Sequence, residues 1–197
     1  MTLKIILAVI IGTVVGLFVP ESYYGVTDHM LSIGLSLLLF FVGMDIGKNK
    51  NVLKDIKKSG AMFFIVPLGV VAGSLIGAIL AGFLLSDPVN ESGAIGAGLG
   101  WYTLSSIIIA PYSSELSVLA FLTNVIREII AIAAIPLVAK YIGFVEAIAP
   151  SGATAMDTTL PIVSKNTNAE TAILSFSTGL ILTMIVPVLV PLFLFRP

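Results

Sequence analysis

Gly60 to Leu85 reads GAMFFIVPLGVVAGSLIGAILAGFLL, a run without one charged side chain. About 20 apolar residues cross the roughly 30 Å hydrocarbon core of a bilayer as helix, so this run is long enough to span one. Six further stretches of similar character lie at 3–20, 30–47, 93–110, 116–139, 142–163 and 169–195. Backbone amides find no water in hydrocarbon, which leaves helices or closed barrels. The runs lack the period-two alternation of barrel strands. The sequence therefore predicts an all-α integral membrane protein of about seven transmembrane segments.

Composition agrees. Of 197 residues, 57% are hydrophobic and 11% charged, against roughly 25% charged in an ordinary globular domain. A charge at mid-bilayer costs at least about 2.5–3.5 kcal/mol, which explains the deficit. The net charge of −1 and the absence of a basic stripe argue against nucleic-acid binding. There is no cysteine, and His29 is the single histidine. Neither a metal site nor a cofactor is expected. The first segment lacks a small-x-small cleavage site and is followed by another span, so it reads as a retained helix. One transmembrane domain, 1–197, accounts for the chain. Its parts are a first helix pair with a Lys-rich loop (1–58) and a core (59–197).

Orientation rests on that loop. Lys48, Lys50, Lys54, Lys57 and Lys58 put five of the ten basic residues in eleven positions. The positive-inside rule places the loop, and with it the N-terminus, in the cytoplasm of a multi-pass inner (plasma) membrane protein. If all seven segments cross, Lys140 falls outside and Lys165 inside. If a broken segment is re-entrant, those sides change, and Lys140 favours that option.

Chemistry concentrates in three segments. In the fifth, helical spacing puts Ala120, Asn124, Arg127, Glu128 and Ala131 on one side. Phe121, Leu122, Val125, Ile129 and Ile132 form the opposite side. A polar face at this depth should point into a bundle or cavity, because intramembrane ionisable residues are functional candidates. Arg127 and Glu128 diverge by about 100° and need not pair. The fourth and sixth segments look interrupted, by Gly93-to-Ser106 and Pro150-to-Pro161, both rich in Gly and hydroxyl residues. Paired broken helices in secondary transporters expose helix termini and free backbone near the midplane, and some such bundles are inverted repeats. Tyr102, Ser105, Ser106, Asp157 and Thr158 lie in these segments. Asp157 reads either as an ion ligand or as the cap of a half-helix. Trp101 and Tyr102 read as interfacial belt or cavity lining. Asp45 reads as interfacial or functional. Gly69, Gly73 and Gly77, like Gly12 and Gly16, form small-residue ridges suited to helix packing.

These residues resemble the bacterial lysine-exporter family LysO. The matching stretches are GLGWYTLSS (98–106), TNVIREIIAIAAIP (123–136), GATAMDTTLPIV (152–163) and LLLFFVGMDIGKN (37–49). The resemblance implies a secondary transporter exporting L-lysine, with close basic analogues, coupled to protons or another cation. It also implies that longer members carry additional N-terminal spans, which a small membrane subunit supplies where the family is split. A homo-oligomer is the other assembly expected.

Lysine carries two ammonium groups and one carboxylate. Glu128 and Asp157 suit the former, while a half-helix N-terminus or Arg127 suits the latter. Protonation of Glu128 would release the substrate. The alternative reading is a scaffold or channel subunit without coupled transport. An intramembrane hydrolase is disfavoured because Ser105, Ser106 and Asp157 have no histidine base in the membrane.

Overall fold

The computed structural model describes residues 60–194 continuously; before them it describes only positions 7, 11, 12, 14–18, 20, 33, 37, 40 and 44. The expected spans 3–20 and 30–47, Asp45 and the Lys48–Lys58 loop thus lie almost wholly outside the described residues.

Among the described residues, three unbroken helices are long and apolar enough to cross a membrane: α1 (Met62–Leu85), α4 (Ser114–Tyr141) and α6 (Ala169–Leu194). Between α1 and α4 lie two short helices, α2 (Val89–Gly96) and α3 (Tyr102–Ile109). Between α4 and α6 lie a 3-10 segment, η1 (Glu146–Met156), and a short helix, α5 (Leu160–Asn166). No strand occurs among the described residues. Pro67, Pro136, Pro187 and Pro191 sit inside the long helices, where neighbouring helices re-satisfy freed backbone groups. The most apolar window of α6 is 39% buried against 11% for that of α1, so α6 is the inner post and α1 a flank.

The two interrupted segments are discontinuous, as expected, and each folds back on itself as a hairpin. The eight residues of α2 and of α3 rise about 12 Å each and the seven of α5 about 10 Å, less than half the hydrocarbon core. Each segment goes in, breaks and comes back. Asn90 donates to the Tyr112 hydroxyl, which donates to Glu91, each at 3.3 Å. Asp87 and Glu91 share one cavity with Ser113 and Glu115. Both ends of the α2–α3 hairpin therefore lie beside the end of α1. The α3 arm runs back along α4: Tyr102 meets Phe121, and Ser117 donates to the Ser106 carbonyl at 2.7 Å. The η1–α5 hairpin does the same from the opposite end. Phe144 and Val145, before it, share a cavity with Asn168 and Glu170, after it, and with Met62 at the start of α1.

This geometry matches the re-entrant alternative to full crossings at 93–110 and 142–163. It also moves Lys140, which now lies at the same end as Lys165 and Met62. The physical reason is the break itself, which lets a half-length helix reverse once its polar turn is buried in protein. Two apolar clusters flank the turns. One gathers Ala94, Leu99, Ile109, Leu116, Leu182 and Val186. The other gathers Ile135, Ala147, Ile148, Val163 and Leu174.

Candidate functional site

The hairpin tips meet in mid-bundle. The first turns through Leu99 and Gly100, both with positive φ (51° and 98°). The second kinks at Gly152 (φ 61°, ψ −132°). The Ala153 N–H donates to the Leu99 carbonyl at 2.8 Å, joining one tip to the other. A Cβ on Gly152 would collide with that carbonyl, so this contact requires glycine.

The centre of α4 serves both tips from one polar face, as its spacing predicted. Ala120, Asn124 and Ala131 are buried, whereas Phe121, Leu122 and Ile129 are exposed. Asn124 accepts the Gly100 N–H at 2.7 Å and donates to the carbonyls of Ala120 (2.9 Å) and Ile95 (3.4 Å). Arg127 Nε donates to the Pro150 carbonyl at 3.3 Å, and its Nη1 to Ser74 Oγ at 2.8 Å. Glu128 turns the other way. Its Oε1 accepts the Thr158 hydroxyl at 2.5 Å, and that hydroxyl lies 3.3 Å from Asp157 Oδ1. One hydroxyl has one hydrogen, so two carboxylates converge on a single donor.

A cavity of about 250 Å³ opens beside this cluster, at the small end for ligand sites. Gly100, Trp101, Tyr102 and Thr103 line it from the first hairpin, Thr154, Met156, Asp157 and Thr158 from the second, and Thr183 from α6. Trp101 and Tyr102 are thus cavity residues rather than an interfacial belt. Glu128 stands one hydroxyl behind the lining. The α3 helix starts at Tyr102 without a side-chain cap, and the first N–H groups of a helix have no intrahelical acceptor. The cavity therefore offers carboxylates on one wall and a helix N-terminus on another.

Not every expected residue faces this space. Ser105 and Ser106 donate to the carbonyls of Tyr102 (3.3 Å) and Thr103 (2.9 Å) within their own helix. Asn124 and Arg127 line a separate cavity of about 290 Å³ behind the first tip, with Ser74, Thr123, Gly73 and Gly77. Asp157 does not cap the returning helix: the N-cap of α5 is Thr159 and makes no side-chain cap bond. The hydroxyl of Asp157's neighbour Thr158 and the Thr158 N–H are its partners instead. The sequence reading passed over Ser74 and Thr183. Ser74 is the lone hydroxyl of an apolar helix, its one visible signal being polarity next to the Gly73–Gly77 ridge, whereas Thr183 is one of five hydroxyl residues in α6 and nothing in the sequence sets it apart.

Comparison with known proteins gives a consistent picture. The family model described as lysine exporter LysO matches residues 6–194. A protein of Haemophilus influenzae named "Putative lysine exporter" is 32% identical over 193 residues, covering 96% of both chains. The lysine exporter LysO of Escherichia coli is 33% identical over 195 residues, which is 98% of this chain but 64% of that one. The chain thus spans less than two thirds of the Escherichia coli relative. No solved structure matches.

Proposed function

Because the chain belongs to the lysine exporter LysO family, we propose that it is a secondary transporter moving L-lysine, and close basic analogues, out of the cytoplasm. The observation that carries this reading is the convergence of Glu128 and Asp157 on the Thr158 hydroxyl beside a cavity between the two hairpin tips. An ammonium group brings the charge and the extra donors that one hydroxyl lacks. The substrate carboxylate goes to the first turn of α3, where backbone N–H groups and the helix dipole favour an anion.

Two hairpins entering from opposite ends suit alternating access, since each closes the cavity from one side. Coupling follows from the same groups. A proton taken up by Glu128 removes its attraction for the ammonium and returns the Thr158 hydroxyl to Asp157. The end of the bundle holding Lys140 and Lys165 faces the cytoplasm of the inner membrane, and the end holding Asp87, Glu91 and Glu115 faces out, as charge bias favours. A second membrane chain, supplying what the Escherichia coli relative carries beyond the matched span, belongs to the same proposal.

Proteoliposomes loaded with labelled lysine test it. The wild type should show counterflow and respond to an imposed pH gradient, and Glu128→Gln should lose that response. A Glu128→Gln variant with unchanged proton-driven transport would eliminate the assignment. Downhill flux without counterflow would favour a channel subunit, and flux only on co-expression with the second chain would make that chain obligatory.

A further inference from the structure

Arg127 carries a full charge into mid-bundle, yet its partners among the described residues are neutral: the Pro150 carbonyl and the Ser74 hydroxyl. The Ser74 hydroxyl accepts from Arg127, so its own hydrogen is free to go elsewhere, and it goes to the Gly96 carbonyl at 2.8 Å. Gly96 is the last residue of α2, the inward arm of the first hairpin. Pro150 stands two residues before the Gly152 kink, at the end of the inward arm of the second. The carbonyls at a helix C-terminus lack intrahelical donors and carry partial negative charge; that of Gly96 also accepts the Leu99 N–H of the turn, at 3.2 Å. Both inward arms thus end on the same guanidinium, one directly and one through Ser74. The other half of α4's polar face, Glu128, is turned to the cavity; Arg127 lines the separate space behind the tip.

We propose that Arg127 is a positioning residue that fastens both hairpin tips at once, supplying the positive charge shared by the two inward arms' terminal carbonyls, and that it does not touch the substrate. A planar fork with several donors suits this task in a way that a single ammonium does not. The assignment of a substrate carboxylate to the α3 N-terminus leaves Arg127 this role. The mechanical claim stands without the transport reading; only the substrate arm of the test rests on it.

Hydrogen exchange of the purified full chain in lipid nanodiscs tests the fastening. In Arg127→Met, exchange should rise roughly tenfold at both tips, around Leu99 and around Ala153, although they lie far apart in sequence. Ser74→Ala should loosen the first tip only, and Arg127→Lys should fall between wild type and Met. Loosening at one tip alone in Arg127→Met, or at neither, overturns the proposal. Should Arg127→Met fail to assemble, the other two variants decide: loosening of both tips in Arg127→Lys with loosening of the first tip alone in Ser74→Ala supports it, and loosening of one tip alone, or of neither, in Arg127→Lys overturns it.

Competition in proteoliposomes separates positioning from binding. If Arg127 only holds the tips, Arg127→Lys lowers the maximal rate while the preference for lysine over lysinamide, which lacks the carboxylate charge, stays as in wild type. A collapse of that preference would make Arg127 a substrate ligand and refute the proposal.

Discussion

The two hairpins answer the same steric problem with different residues, and the difference separates shaping a site from binding in it. The first turns through Gly98-Leu99-Gly100, all buried, and gives the cavity no charged side chain. What it gives is a wall and a helix start at Tyr102. The second turns at Gly152 and then delivers Asp157 and Thr158 to the same cavity. One hairpin is a frame, the other a frame that also carries the proposed ligands. Both hang from α4, the first by Asn124 and, through Ser74, by Arg127, the second by Arg127 alone.

Substitution at the kinks should break this pairing most severely. Gly152→Ala meets both a backbone conformation reserved for glycine and the Leu99 carbonyl. Strain of about 1–3 kcal/mol adds to overpacking of about 1–3 kcal/mol, so the melting temperature in detergent should drop sharply. Gly100→Ala has its nearest new contact at 3.3 Å, the Ser151 carbonyl, and should melt closer to wild type. The reverse order would mean that the first tip, not the second, is the tighter joint.

Thr158→Val comes next. It keeps the shape and removes the donor that Glu128 and Asp157 share. A hydrogen bond to a charged group contributes about 1.5–3 kcal/mol, so equilibrium lysine binding should weaken roughly tenfold or more, with Thr158→Ser restoring it. An unaltered dissociation constant would remove the ligand role from the second hairpin.

Asn124→Leu sharpens the other side. It leaves the buried Gly100 N–H without its acceptor, a loss of about 1–3 kcal/mol. Proteolytic susceptibility should rise at residues 97–101 and not at 151–154. The smallest effect belongs to Ser106→Ala, whose hydroxyl bonds only its own helix. Transport should stay within about twofold and stability within about 1 kcal/mol.

Much of this was legible in the sequence, for reasons that also explain the rest. Apolar length and charge scarcity are enough to give membrane helices, and Gly-rich interruptions are enough to give breaks. The α4 face was readable because Asn124, Arg127 and Glu128 recur at helical spacing in an apolar run. Re-entrance was not readable from hydropathy, since segments of 18 and 22 apolar residues have the length to cross whether or not they do. Only Lys140, stranded at the wrong end of a seven-crossing path, pointed to it. Ser105 and Ser106 looked chemical because hydroxyls in a broken span suggest ligands; in a short helix they turn back to carbonyls of the preceding turn instead. Ser74 and Thr183 went unseen because their roles come from what lies across the bundle.

In the proposed transport cycle lysine sits in front of the tips, between the hairpins, and not behind them. The chain has no natural cysteine, so single cysteines report on each side. Thr103→Cys lines the front cavity and Thr123→Cys the rear one. Lysine should slow labelling of Thr103→Cys by a membrane-permeant thiol reagent and leave Thr123→Cys unprotected; protection of Thr123→Cys with none at Thr103→Cys would contradict the account.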